Sequence, residues 1–290
     1  MPANFKKFNK TALRKLSLPK TQIPEALTNI IDDQTRKFGN PISITESDVI
    51  PHTDEIPGTV SNNWLKINGP ICVYTDMANS TALSARAYPK STAKIYQLYT
   101  NTAVQLFHYL GAEYIDIKGD GVFALFNKDK PHTALAAAVT FKTFFESIFT
   151  KKVSSITEGK VTLGNHIGID QRTILVKQLG LRKYNGRTDK QNEVWAGKTV
   201  NMAAKLASLY DDNRIVVSDR FFANVTHKGA THSCGCDAGI FTGQRTPLWT
   251  KIDLEDEDKF DFDTGYLLGS SWCSKHGTDT LTEILLADEA

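Results

Sequence analysis

An apolar run closed by a carboxylate, Ile71-Cys-Val-Tyr-Thr-Asp76, reads as a short buried strand. Residues two apart in a strand point to the same face, so Tyr74 and Asp76 share one side of it. Over residues 84–110 apolar positions recur at helical spacing (Ile95, Leu98, Tyr99, Thr102, Leu106, Tyr109), and Gly111 supplies a stop. Two further apolar runs, 112–117 and 122–126, flank Lys118-Gly-Asp120-Gly and predict a hairpin with Asp120 at its tip. An aromatic stripe (Phe141, Phe144, Phe145) at helical spacing predicts a helix over 131–149, with Pro131 in its first turn. Residues 161–169, 173–176 and 214–218 read as strands, and 182–192 as an exposed polar loop whose Arg182, Lys183 and Arg187 could reach phosphate. Ahead of all this come a Lys-rich start, a helix after Pro24 (Leu27, Ile30, Ile31) and an extended stretch from 41 to 57. No internal repeat is visible.

Asp76 and Asp120 each end or join apolar runs, and hard oxygen donors are what Mg²⁺ or Mn²⁺ needs when it grips a triphosphate. Taken singly, Asp76 could cap the next helix and Asp120 could make a turn. A strand end and a hairpin tip side by side could instead hold two divalent ions, one polarising a 3′-hydroxyl and the other binding the β- and γ-phosphates. Further along, Asn201 and Lys205 stand four apart on a helix and can meet one ligand; their bland role is an exposed polar pair.

Strand with Asp, helix, Gly-Asp hairpin, then Asn165-His-Ile-Gly-Ile-Asp170 and Val200-Asn201-Met-Ala-Ala-Lys205-Leu-Ala-Ser208, in this order, resembles the class III nucleotidyl cyclase catalytic domain over about residues 65–225. The resemblance implies an α+β fold, a ferredoxin-type antiparallel sheet with flanking helices. It divides the chain into an N-terminal extension (1–60), a catalytic domain (61–228) and a small Cys/His-containing subdomain (229–290). It implies metal binding by Asp76, Asp120 and the Met77 carbonyl, two Mn²⁺ or Mg²⁺ per site, with Asn201 orienting the ribose. Lys205 stands where the family has its transition-state arginine, and a point charge sets phosphate geometry less rigidly than a planar fork. Two domains pack head to tail in that family, so a homodimer with sites at the subunit interface is expected.

Adenylyl cyclases carry a lysine, and guanylyl cyclases a glutamate, four positions before the second metal aspartate; here it is Asp116. The partner position falls on Val194, or on Glu193 if the loop is one residue longer, and neither purine code is met. A base is selected by matched donors and acceptors, since an unpaired group in a dry pocket costs about 1–3 kcal/mol. A smaller base covered by the Tyr74 ring is therefore favoured, with Tyr74 in the core as the bland alternative. More narrowly, Tyr74-Thr-Asp76-Met, Ile117-Lys-Gly-Asp120-Gly and Val194-Trp-Ala-Gly-Lys-Thr-Val-Asn201 resemble the bacterial pyrimidine cyclases of Pycsar antiphage defence. That resemblance implies a phosphorus–oxygen lyase forming cyclic UMP from UTP, with a separate cyclic-nucleotide-activated effector. Alternatives are a cytidylate cyclase, a purine cyclase, and a non-catalytic nucleotide-binding dimer.

With 34 Lys+Arg against 32 Asp+Glu, the 290-residue chain carries no broad nucleic-acid footprint. The first twenty residues hold five Lys and one Arg without an acid and read as a solvated terminal segment. No stretch approaches the ~20 apolar residues of a membrane span, and residues 1–20 lack a signal-peptide core. A cytoplasmic protein is expected, which argues against disulfides among the four cysteines. Three of them fall after residue 230, as Cys234-Gly-Cys236 and Cys273-Ser-Lys-His276, a complete ligand set for a structural zinc, with His232 as a spare. Reduced cysteines in a subdomain packed around Trp249 and Trp272 are the alternative. Cys72 reads as a buried small hydrophobe.

Overall fold

The computed structural model describes residues 24–181, 190–210, 212–236 and 243–289. The Lys-rich start and Arg182, Lys183 and Arg187 lie outside the described residues. Two compact units form, Met1–Ile42 and Ser43–Ala290. The first holds helix α1 (Glu25–Phe38), where Asp33 pairs with Arg36 and Lys37 and no residue is buried.

In the second unit two sheets form from strands whose patterns differ with their burial. The larger runs β10 (Trp249–Asp253), β11 (Thr264–Leu268), β9 (Ile215–Ser218), β6 (Gly164–Gln171), β3 (Ile71–Ala78), β5 (Gly121–Phe126), β4 (Tyr114–Lys118). All its pairings are antiparallel except β6 with β9. The smaller runs β1 (Ser43–Ser47), β2 (Asn63–Ile67), β7 (Ile174–Gly180), β8 (Gln191–Gly197). Strand β5 is apolar at every position after Gly121 because both of its faces are covered. On one side Ile71, Val73 and Met77 join Phe107, Phe141 and Phe145 from the helices; on the other Cys72 and Tyr74 join Phe123, Leu125, Ile174 and Trp195. Helices α3 (Pro89–Tyr109) and α4 (Pro131–Phe144) supply the first layer, and α6 (Lys198–Ala207) lies on the second face.

The helix expected over 84–110 is two helices, α2 (Ser80–Arg86) and α3. Pro89 cannot donate to a preceding turn and holds Tyr88 extended at φ −65°, ψ 147°, which breaks the run. Helix 131–149 is α4 followed by a π-type turn, Phe145–Phe149, and α5 (Thr150–Thr157). The tail beyond residue 229 does not pack as a separate subdomain: β10 and β11 extend the main sheet, and Trp249 and Trp272 pack on the main core. The compact unit likewise opens at Ser43, where β1 pairs with β2, rather than at residue 61. Near the end of the described chain, Asp288 accepts from Thr133 N at 2.6 Å and from the buried His132 Nδ1 at 2.6 Å, closing the N-terminus of α4. The His132 Nε2 accepts from the N–H groups of Thr226 and His227, which leaves Nδ1 as the donor to Asp288.

Candidate active site

Strand pairing brings the predicted residues into cross-strand rows. One row reads Asp116, Phe123, Tyr74, Gly168, Val216; two residues further along β3, on the same face, Asp76 stands opposite His166. The chain turns at Asp120 immediately before Gly121, so the hairpin tip reaches the end of β3 that carries Asp76. A Cβ built on Gly121 would lie 2.8 Å from the Tyr74 hydroxyl and 3.3 Å from Asp76 Oδ1. Only glycine leaves that space open.

Burial raises the Asp76 carboxyl above its ordinary range and the charge of Asp120 adds to this, against a hydrogen bond from the Met77 N–H. Burial also pushes the Tyr74 hydroxyl up to about 12, with Asp76 and Asp120 contributing. Tyr74, Asp76 and Asp120 therefore form one acidic corner. Neither aspartate makes an ion pair with lysine or arginine among the described residues. Two carboxylates close enough for the charge of one to raise the other are a donor set that suits a hard divalent ion taking oxygen ligands.

Gly121→Ala is expected to lower turnover by on the order of a hundred-fold, because the new methyl displaces the Tyr74 hydroxyl and crowds Asp76. Pyrophosphate release measured beside an unchanged far-UV spectrum checks it; wild-type turnover would show that the corner has room to spare.

Asn201 and Lys205 sit on α6, which is seated on a bare patch of sheet. A Cβ on Gly168 would fall 1.9 Å from the Ala203 carbonyl oxygen and 2.6 Å from Ala207 N. Ala203 touches the sheet while Met202 and Leu206 pack on Val216, Leu254 and Leu267. At about 100° per residue, Asn201 and Lys205 lie on the opposite side of the helix from Ala203. Asn201 is exposed, and the half-buried Lys205 donates from Nζ to the Lys259 carbonyl at 2.7 Å.

Asp116 lies in the same face as Tyr74, its Oδ2 2.7 Å from Lys118 Nζ in a charge contact that is not an aligned hydrogen bond. Between the two partner positions on β8, Glu193 shares the face of buried Trp195, whose ring centroid stands 4.6 Å from that of Tyr114, and Val194 points the other way. Three features escaped the sequence reading. Thr75, Tyr99 and Asn165 form a buried hydrogen-bonded triangle (2.7–2.9 Å) on the other face of β3 from Tyr74 and Asp76. Arg220 holds buried Asp170 through two bonds (2.8 and 2.5 Å) and also Asp261, which Arg172 and Lys198 reach too. Gly168 is the third, and a glycine inside a strand pattern was its available signal.

No protein-family model matches the chain. A uridylate cyclase of Propioniciclava tarda is 32% identical over 86% of this chain and 79% of its own, and one of Micromonospora echinofusca is 33% identical over 78% and 72%. The chain belongs to the uridylate cyclase family. It is a nucleotidyl cyclase, a lyase that cleaves a phosphorus–oxygen bond. Solved cyclase structures share its fold. The guanylate cyclase domain of Catenaria anguillulae, in complex with GTP, gives a TM-score of 0.54 at 15% identity over 71% of this chain and 98% of that one. The adenylyl cyclase CyaB of P. aeruginosa gives 0.51 at 15% identity over 71% and 96%.

Proposed function

We propose that this cyclase converts UTP to 3′,5′-cyclic UMP and pyrophosphate in a homodimer whose sites span the subunit boundary. The observation that carries the reading is the acidic corner: Asp76, Asp120 and the Tyr74 ring converge at one strand end. Asp76, Asp120 and the Met77 carbonyl would hold two divalent ions, Mn²⁺ or Mg²⁺, which when bound neutralise the triphosphate and acidify the 3′-hydroxyl. The 3′-oxygen forms a bond to the α-phosphorus as the bond from that phosphorus to the β-phosphate oxygen breaks, and pyrophosphate leaves. Asn201 orients the ribose, and the Lys205 cation balances charge building on the α-phosphate. Both project from the face of α6 turned away from the sheet, which suits service to a partner's metal site.

For the base, Tyr74 offers a stacking ring, and the Asp116–Lys118 pair offers an acceptor beside donors, matching a pyrimidine edge. Relatives named for uridylate favour uracil. Cyclic UMP made from the intracellular nucleotide pool would serve as a message in antiphage defence, read by a separate effector. No helix among the described residues is long and apolar enough to cross a membrane.

Incubation of the purified protein with each of the four ribonucleoside triphosphates and Mn²⁺, with products identified by mass, tests the reading. Cyclic UMP is the expected dominant product. Dominant cyclic CMP replaces uracil with cytosine, and dominant cyclic AMP or GMP overturns the pyrimidine assignment.

A further inference from the structure

Cys234, Cys236, Cys273 and His276 come together in the tail, next to Trp272, which is bonded to helix α4. Their ligand atoms all lie within 4.8 Å of one another. The Cys236 and Cys273 sulfurs are 3.8 Å apart, and about 3.8 Å is the edge of a tetrahedron with zinc–sulfur bonds of ~2.3 Å. His276 Nδ1 stands 2.9 Å from the Cys236 sulfur and 4.0 Å from that of Cys273, bracketing the sulfur–nitrogen edge of about 3.6 Å that the same geometry requires. We propose that these four residues bind one structural Zn²⁺ that staples the segment around 234–236 to the segment around 273–276.

The local backbone is built for this. Gly235 lies between the two cysteines at φ +81°, a left-handed bend, and a Cβ there would strike Gly243 at 2.9 Å. The bend turns both cysteines of the short C-x-C toward one point. On the other segment, the N–H of Lys275 donates to the Cys273 sulfur at 3.5 Å, and Gly277 begins the last helix (Gly277–Leu286) directly after His276. Three sulfurs and one imidazole fill a tetrahedral shell with no open position, which marks a structural site and selects zinc over the hard ions suited to Asp76 and Asp120.

The staple has mechanical work to do. Trp272 is tied to α4 by Nε1 to Thr140 Oγ1 at 2.9 Å and by its N–H to Thr143 Oγ1 at 3.0 Å. Beside it a cavity of about 460 Å³ is lined by Leu135, Val139, Leu248 and Ile284 together with Cys234 and Cys273. Both segments thus border unfilled space, where apolar packing holds them less than a filled core would. Zinc cross-links them where their ligand atoms meet.

Elemental analysis of the full-length purified protein is expected to give one zinc per chain, retained in Asp76→Asn/Asp120→Asn, which separates this site from the catalytic ions. Cobalt substitution should give the intense thiolate charge-transfer and tetrahedral d–d bands of a three-sulfur, one-nitrogen site. Cys236→Ser and Cys273→Ser should lose zinc, with a lowered melting temperature; His276→Cys, which keeps a ligand, and Cys72→Ser should keep it. Because the serine variants could fail to fold, the wild-type stoichiometry and cobalt spectrum stand as the deciding measurements. Zinc-free protein with four titratable thiols, a Cys236–Cys273 disulfide, or a weak octahedral cobalt spectrum overturns the proposal, whatever the cyclase assay shows.

Discussion

Asp120→Asn is expected to cut cyclic nucleotide formation by on the order of a thousand-fold, the loss of several kcal/mol of charge stabilisation when one carboxylate leaves a metal site. The fold should survive, because Asp120 sits at a half-exposed hairpin tip and makes no ion pair with lysine or arginine among the described residues. The metal-free protein gives a second reading of the same change. Asp76 has its folded pKa raised above the ordinary carboxylate value, first by burial and then by Asp120. A raised carboxyl favours the protonated form in the folded state, so its contribution is present at low pH and is lost as pH rises through the folded pKa. Removing the Asp120 charge eases that loss. Metal-free Asp120→Asn should therefore melt no lower than wild type at neutral pH, while the thermal stabilisation that Mn²⁺ confers on wild type disappears. Retained cyclic product, or unchanged Mn²⁺ stabilisation, would sink the assignment of Asp120 to metal.

Mixing two inactive variants should restore activity. Asp120→Asn removes the metal side of each site and Asn201→Ala the ribose side, so each homodimer is crippled. If the two sides come from different subunits, each mixed dimer carries one intact site of its two, so isolated mixed dimers should reach about half the wild-type turnover. Turnover after co-expression of differently tagged subunits, purified through both tags, reads this directly. Verified mixed dimers with no activity would place both sides of the site within one chain, against the outward orientation of Asn201 and Lys205 on α6.

The strands that carry the acidic corner were legible because burial on both faces imposes a simple apolar pattern on β3 and β5. Alternation alone put Tyr74 and Asp76 on one face, and the Lys-Gly-Asp-Gly turn located Asp120. Strand β8 escaped because Gln191, Asn192 and Glu193 are polar where they line an edge, and periodicity carries no signal there. Between Glu193 and Val194 only the pairing register decides, since Glu193 faces with Trp195. The tail's integration into the sheet was hidden for a similar reason. Its two strands are short, and nothing local tells that β11 pairs with β9 some fifty residues upstream. The seat of α6 on Gly168 is a contact between distant segments, visible in sequence only as a glycine where a strand would favour a branched residue.

Strand β3 divides its labour strictly by parity: odd positions plug the helical layer and even ones carry Cys72, Tyr74 and Asp76. A one-residue insertion or deletion between 71 and 76 would invert that assignment, burying the carboxylate among phenylalanines and presenting threonine or methionine to the nucleotide. Length changes in related genes should thus be purged from this segment far more severely than ordinary replacements, and the interval from Tyr74 to Asp76 makes a dependable anchor for aligning even remote kin.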